Sequence, residues 1–190
     1  MGKPAHLVFL GLLLLLASTL SMRAEHFRLC EGIYALCTAA KCAPVPGKDD
    51  AVACTCAVRL GYSAGRSECR YIAWPNGGEQ IQSRYYPVKK VSVCSNDRTW
   101  ANCLDKTCVV DKANPFKAKC TCTKEKNAGP YVVAGNTHTP ETCTSGTASA
   151  ATVADNEALT DYLKATGLLK PYVITVLNKQ PSTGQDRQTP

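Results

Sequence analysis

The sequence predicts a small, disulfide-rich, mainly β protein with two duplicated six-cysteine modules, short antiparallel strands and a C-terminal helix–strand unit. Three observations lead to this fold class. The twelve cysteines divide into two sets of six, and the inner four of each set share the spacing C-x4-C-x11-C-x-C, 66 residues apart. An apolar run near the N-terminus predicts export, and exported cysteines form disulfides. β-prone runs separated by turn residues join the modules.

The N-terminus has the pattern of a secretory signal peptide. Lys3 precedes an apolar run over residues 7–17, and small residues follow. We expect residues 1–24 to be removed by a cut after Ala24, or alternatively after Ser21. The run is shorter than the roughly 20 residues that span a membrane, so a retained anchor is the weaker alternative. A secreted or periplasmic protein, with no membrane span after signal removal, is the expectation.

The first cysteine module covers residues 30–69 and the second covers residues 94–143. We expect all twelve cysteines to form disulfides, because small modules of this length need cross-links to supplement a thin core. A bridge across one residue is strained, so Cys54 and Cys56 should bond to different partners. Spacing alone leaves many connectivities open. The cysteines are Cys30, Cys37, Cys42, Cys54, Cys56, Cys69, Cys94, Cys103, Cys108, Cys120, Cys122 and Cys143.

The first module reads C-x6-C-x4-C-x11-C-x-C-x12-C and ends with Gly61-Tyr62, Gly65 and Cys69. This pattern resembles an epidermal-growth-factor-like module. The resemblance implies a two-stranded, loop-rich unit used in extracellular binding. It also implies a pairing of first with third, second with fourth and fifth with sixth cysteine in each module. The implied bonds are Cys30–Cys42, Cys37–Cys54, Cys56–Cys69, Cys94–Cys108, Cys103–Cys120 and Cys122–Cys143.

Residues 70–93 connect the modules. The turn signal Pro75-Asn-Gly-Gly78 lies between two β-prone runs, residues 70–74 and 88–93. We therefore predict a β-hairpin, or two short strands, in this connection.

The tail, residues 144–190, contains no cysteine. A helix is predicted over residues 154–166, capped by Thr152 or Asp155. A strand is predicted over residues 171–177, which are rich in β-branched side chains. The polar end of the chain is predicted to be disordered.

The distribution of charge does not favour a nucleic-acid partner. The chain has 22 basic and 15 acidic residues, a formal net charge of +7. Five lysines crowd one stretch, but no arginine is interleaved with them to grip phosphates. A solvated face is the simpler interpretation. The lysines are Lys112, Lys117, Lys119, Lys124 and Lys126.

A group of aromatic residues is the candidate binding surface. Aromatic rings beside arginines are typical of interface hot spots. The competing hypothesis is that these rings fill the small core between the modules. The candidate residues are Tyr71, Trp74, Tyr85, Tyr86 and Trp100.

Catalysis is not expected. His138 lies in a loop of the second module, and the sequence marks no nucleophile or orienting acid for it. The chain should therefore be a non-enzymatic binding protein, without a cofactor, that recognises an extracellular or envelope protein or glycan. Its oligomeric state stays open.

Two alternatives use the same scaffold. Thiolates of the C-x4-C and C-x-C pairs could bind a metal or do redox chemistry, although no histidine accompanies them and Cys-x-x-Cys is missing. An inhibitor of exported hydrolases could present the loop of residues 41–48 or 112–119.

Overall fold

The computed structural model describes residues 26–70, 76–85, 88–95, 98–144, 147–167 and 174–179. They form an 11-stranded sheet, a 3-10 helix over Pro140–Cys143 and one α-helix. The mainly β, disulfide-rich fold with a C-terminal helix followed by a strand is therefore confirmed. The predicted signal peptide and the polar C-terminal end lie outside the described residues. The elements are β1 (Arg28–Leu36), β2 (Lys41–Val45), β3 (Lys48–Gly65), β4 (Gln80–Gln82), β5 (Lys90–Cys94), β6 (Trp100–Asn102), β7 (Thr107–Val110), β8 (Lys117–Glu125), β9 (Tyr131–Ala134), β10 (Thr147–Thr152), α1 (Val153–Ala165) and β11 (Thr175–Val176).

The central strands, β3 and β8, alternate between buried and more exposed side chains. Successive side chains of a strand point to opposite faces, so every second residue can enter the core. Cysteine, valine and alanine occupy the inward positions, and lysine or threonine occupies most outward positions of β8. The inward residues are Val52, Cys54, Cys56, Val58, Ala118, Cys120 and Cys122.

The duplication extends from cysteine spacing to backbone register. In the β2–β3 hairpin Cys42 lies opposite Cys54. In the β7–β8 hairpin Cys108 lies opposite Cys120. Each residue of the second hairpin lies 66 positions after its counterpart in the first, so both hairpins have one design.

The same offset relates the neighbouring strands. β1 pairs with β3 and β6 pairs with β8, with Tyr34 and Trp100 at equivalent positions. The backbone repeat is therefore longer than the cysteine pattern. We call residues 28–85 the first copy and residues 94–151 the second copy.

The two copies meet through the antiparallel pairing of β3 with β8. Cys54 lies opposite Cys120, its own equivalent. The pairs on either side, Val52 with Cys122 and Cys56 with Ala118, are related by exchange of the two copies. An interface in which the same surface contacts itself has twofold symmetry, so the copies are arranged as a dimer within one chain.

Each copy also adds a strand beside the other copy's hairpin. β4 pairs with β7, which places Ile81 opposite Cys108. β10 pairs with β2, which places Thr147 opposite Cys42. These two pairings are symmetry equivalents. The cysteine modules are thus intertwined in one sheet around one shared core, rather than packed side by side.

Two equivalent serines fix the exchanged strands. Ser83 follows β4, and its hydroxyl accepts a hydrogen bond from the Lys106 amide at 2.9 Å. Ser149 in β10 accepts one from the Ala40 amide at 3.1 Å. Both serines are buried, where a hydroxyl needs a partner, and each finds it in the opposite copy.

Six disulfides connect the twelve cysteines, but the pairing implied by the resemblance to epidermal-growth-factor-like modules is wrong. In each copy the bonds are nested: first with sixth, second with fifth and third with fourth. They are Cys30–Cys69, Cys37–Cys56, Cys42–Cys54, Cys94–Cys143, Cys103–Cys122 and Cys108–Cys120.

Strand register explains the nested pairing. Cys42 and Cys54 are direct cross-strand neighbours with Cα atoms 4.0 Å apart. Cys56 lies on the same face of β3, and Cys37 reaches it with a Cα–Cα distance of 4.5 Å. As expected, the two cysteines of C-x-C have different partners. The two partners are Cys37, just after β1, and Cys42, in β2, and both strands lie along the same edge of β3.

The helix of the tail is close to its predicted position. The Asp155 amide donates to the Thr152 hydroxyl at 2.9 Å, which caps the start of α1. Leu159 and Leu163 are buried against Phe27 and Ala64 of the first half of the chain. The tail therefore packs back across the fold.

Within the connection, β5 coincides with the second predicted strand. It pairs with β9 and β11, and β4 pairs with β7, so β4 and β5 do not form a hairpin with each other. Residues 71–75 lie outside the described residues.

Candidate functional site

The predicted aromatic surface is only partly described. Tyr71, Trp74 and Tyr86 lie outside the described residues. Trp100 is only 2% exposed and stacks on Tyr131 with ring centroids 5.7 Å apart, so it is a core residue. Tyr85 is half-buried and packs against the hydrophobic cluster around α1.

His138 makes a hydrogen bond to a buried serine. Its Nδ1 lies 2.9 Å from the hydroxyl of Ser92, which is only 1% exposed. A nucleophile must reach a substrate, and this hydroxyl is enclosed. The contact is better suited to holding the exposed loop around His138 against β5 than to acyl transfer.

The metal and redox alternatives depend on free thiols. Two groups of three sulfurs lie close enough to share an ion, and both include Cys37. All twelve cysteines are described, and all are disulfide-bonded. Thiolate is the form that binds metals, so either alternative requires prior reduction of the core.

The five clustered lysines are all exposed. Lys117 and Lys119 point outward from β8, beside a shallow groove that also contains Thr55 and Val109. The cationic side chains of β8 are therefore open to solvent.

An exposed apolar patch lies where β3 extends past the start of β8. We call Leu60, Tyr62 and Phe116 the Leu60 patch; their exposed fractions are 69%, 52% and 60%. The Val58 amide donates to the Phe116 carbonyl at 2.8 Å, which places Phe116 opposite Val58. Leu60 is two residues beyond Val58, on the same side of the strand, and thus lies diagonally across from Phe116.

The turn that presents Phe116 is held by side-chain hydrogen bonds. The Asp111 carboxylate accepts from the amides of Ala113 and Asn114 at 2.7 and 3.0 Å. The Asn114 side chain accepts from the Phe116 amide at 3.0 Å. Such local bonds fix a turn without a strand partner, so Phe116 is presented from an ordered backbone.

The Leu60 patch occurs on one side of the twofold arrangement. The residues at the equivalent positions are Lys126, Ala128 and Asp50, all exposed. Neighbouring charges differ as well. Arg59 and Lys117 follow the patch residues along the two strands but point to the opposite face of the sheet, and their equivalents are Glu125 and Ala51.

A cavity of about 50 Å³ lies between the two copies. Equivalent positions of the copies line it with unlike residues. Arg84 and Tyr85 lie in the first copy, and Ala150 and Ala151 take their places in the second. The small alanine side chains leave room opposite Arg84 and Tyr85.

Arg84 belongs to a buried polar network beside the cavity. Its guanidinium lies 3.4 Å from the Asp105 carboxylate and donates to the Arg28 carbonyl at 2.9 Å. Burial lowers the pKa of Arg84, and the Asp105 charge opposes that change. Gly65 lies against this ion pair, and a Cβ there would collide with both side chains.

Tyr85 is the second polar group of the cavity. Burial raises the pKa of its phenol above the ordinary value, and the carboxylates of Asp155 and Asp105 raise it further. The buried hydroxyl has no hydrogen-bond partner among the described residues. Buried hydroxyls normally have one.

Sequence reasoning missed the Leu60 patch, whereas Tyr85 of the cavity wall was among the candidate binding residues. Exposure of Leu60 or Phe116 depends on tertiary pairing and leaves no local signal. The 66-residue offset aligns Leu60 with Lys126 and Tyr85 with Ala151, but most other aligned positions differ too, so the alignment alone does not single out either site.

No protein-family model, curated protein or solved structure matches this chain. None of the described helices has the length and apolar character to cross a membrane.

Proposed function

We propose that this chain is an exported, non-enzymatic binding protein that recognises another extracellular or envelope protein through the Leu60 patch. The observation that carries the proposal is the concentration of three large exposed apolar side chains at one end of the β3–β8 ladder. Contiguous exposed apolar surface is characteristic of interaction sites.

Preorganisation supports this function. Leu60 and Tyr62 belong to a strand that pairs with β1 along its outer half. Phe116 is held by its turn, as described above. Because little backbone must be ordered on association, more of the contact energy remains as affinity.

Charge indicates the kind of partner. Arg59 and Lys117 are exposed on the same two strands, on the face opposite the Leu60 patch. These charges would attract an acidic partner over a distance and so accelerate association, while the contact itself would be made with the apolar patch.

The six disulfides are typical of proteins that work in an oxidising compartment. They support an extracellular or periplasmic location, and they stiffen the sheet that carries the patch. The proposal includes export directed by residues 1–24, which are then removed.

The test is a quantitative binding comparison with the oxidised mature chain. Partner proteins from the extracellular or envelope fraction are captured, purified and titrated by calorimetry. Leu60→Lys combined with Phe116→Asp gives these positions the side chains of the other copy. We expect at least about a 100-fold loss of affinity, since hot-spot losses reach several kcal/mol.

The matched control is Lys126→Ala combined with Asp50→Ala at the equivalent positions, which should change affinity by less than about threefold. Equal affinity of the patch variant and the parent chain would refute the proposal. Binding that disappears when the partner is deglycosylated would favour a glycan ligand instead.

A further inference from the structure

The Leu60 patch lies on a stretch of β3 that has only one neighbouring strand. Along one edge, this half of β3 pairs with β1. Along the other edge, the Val58 amide donates to the Phe116 carbonyl at 2.8 Å. Further along the same edge, Ala64 exchanges two hydrogen bonds with Tyr85 at 2.8 and 2.7 Å. Between these two contacts, no described residue pairs with the second edge of β3.

Alternation along the strand places backbone groups of the patch at this open edge. In an antiparallel ladder every second residue bonds to one neighbouring strand, and the residues between them direct N–H and C=O to the other edge. Val58 and Ala64 direct theirs away from β1, and the register with β1 is continuous between them. Leu60 and Tyr62 therefore present two amides and two carbonyls that have no partner among the described residues.

The open edge faces solvent. Buried backbone amides and carbonyls almost always have partners, so groups without one are expected at the surface. Leu60 and Tyr62 are both more than half exposed. Around Gly61, which lies between them, no atom beyond its chain neighbours comes within 4 Å of the position that a Cβ would take. Lysine, proline or a bulge usually protects such an edge, and these three residues provide none of them.

The open segment has room for a short strand. The distance from Val58 to Ala64 along β3 is about 20 Å, since a strand rises about 3.3 Å per residue. An extended segment of about four residues therefore fits between the two flanking contacts. The second copy has no equivalent edge, because β8 ends at Glu125.

We propose that the partner of the Leu60 patch binds as an extended segment that adds a strand to the open edge of β3. The inference rests on the proposed function, because it uses the same patch. Hydrogen bonds to the backbone of Leu60 and Tyr62 supply affinity, and apolar side chains at alternate positions of the segment pack on the patch. The partner is thus recognised by a short β-forming run with one apolar face.

The first test uses the capped peptide acetyl-Thr-Val-Thr-Val-amide and backbone NMR of the oxidised mature chain. We expect saturable shifts at about millimolar peptide. The shifts should be large for the amides of Leu60 and Tyr62 and small for those of Arg59 and Gly61, which point toward β1. Packing of side chains alone would not produce this alternation. The same peptide with N-methylated peptide bonds cannot donate and should bind at least about tenfold more weakly.

Two variants of the chain test the same edge. Leu60→Pro removes an amide hydrogen that β1 does not use, and proline is tolerated on an edge strand where its nitrogen faces solvent. Leu60→Ala also shortens the side chain but keeps the amide. We expect Leu60→Pro to bind the peptide about fivefold more weakly than Leu60→Ala does. Unchanged resonances of β5 and β9 would show that each variant is folded.

The proposal is overturned if the peptide gives no saturable shifts, if the shifts do not alternate along β3, or if the N-methylated peptide binds equally well. Equal binding by folded Leu60→Pro and Leu60→Ala would also overturn it, and the N-methylated peptide decides if Leu60→Pro does not fold. A chain that loses its partner through Leu60→Lys and Phe116→Asp but never binds the peptide would retain the proposed function without strand addition. Peptide binding by a chain that captures no partner would retain the strand-binding edge and refute the proposed function.

Discussion

The two copies share their backbone pairing and inner disulfides but differ at the positions where function is proposed. Cys42–Cys54 and Cys108–Cys120 bridge the same register, and β4 and β10 make equivalent exchanges. The Leu60 patch and the Arg84–Tyr85 wall occur once each. A duplicated scaffold therefore keeps equivalent cross-links while equivalent surface positions carry unlike chemistry.

One pair of equivalent residues shows this difference within a single backbone conformation. Ala39 and Asp105 both have φ of 55°, in the left-handed region. Asp105 uses its side chain to accept hydrogen bonds from the amides of Arg66 and Ser67 at 2.6 and 3.1 Å. Ala39 has no such group. The strained turn is common to both copies, whereas the polar network is confined to one.

Removing an inner disulfide should have the largest effect, and the effect should be equal in the two copies. Each loop closes over a sequence separation of 12, for which loop entropy predicts about 3 kcal/mol, and loss of buried sulfur adds to it. We expect Cys42→Ala with Cys54→Ala to cost about 3–5 kcal/mol in urea unfolding. Cys108→Ala with Cys120→Ala should match it. A difference above about 2 kcal/mol would break the equivalence.

The polar network should make the copies unequal. Asp105→Ala leaves Arg84 buried without its carboxylate and removes the acceptor of two amides. We expect a loss of about 3 kcal/mol in the free energy of unfolding. The control is Asp161→Ala, an exposed carboxylate on α1 whose loss should cost less than about 0.5 kcal/mol. Equal stabilities of the two variants would show that the network contributes nothing.

At the equivalent position the opposite sign is expected. Ala39→Gly should stabilise the protein by about 1 kcal/mol, because glycine adopts a positive φ without the steric cost that alanine bears. Chemical denaturation measures the change. Ala113→Gly, in an exposed turn, serves as a comparison; a destabilised Ala39→Gly chain would contradict the expectation.

The smallest effect concerns the pH dependence contributed by Tyr85. Its pKa is raised in the folded chain, so above about pH 10 the unfolded phenol loses its proton first. Stability should then decrease as pH rises. Between pH 9 and 10.5 the parent chain should lose about 0.8 kcal/mol more than Tyr85→Phe does in matched unfolding curves. Parallel pH profiles would show that Tyr85 titrates normally.

Local patterns predicted the parts of the fold that depend on short stretches of chain. The helix followed from its cap at Thr152 and its apolar spacing, and the internal duplication followed from cysteine spacing. Disulfide pairing did not follow, because it depends on which strands become neighbours. The exchanged strands could not be predicted for a related reason. β4 and β10 share little sequence except Ser83, which follows β4, and its equivalent Ser149 in β10.

The candidate site was predicted less well. Trp100 looked like an interface residue, but its equivalent, Tyr34, is also buried, so both positions belong to the core. Burial of a ring is decided by tertiary packing, which composition does not reveal. The exposed ring of Phe116 carried no distinguishing mark in the sequence.

Strand exchange also determines when the chain can fold. The first copy leaves the ribosome, and crosses the membrane if exported, before β7 and β8 exist to pair with β4 and β3. Its native sheet therefore waits for the second copy, and pairings between such distant residues form slowly. Until then the edge of β3 and six thiols are exposed to mispairing and aggregation. Folding of the first copy is therefore completed only after β7 and β8 have been synthesised.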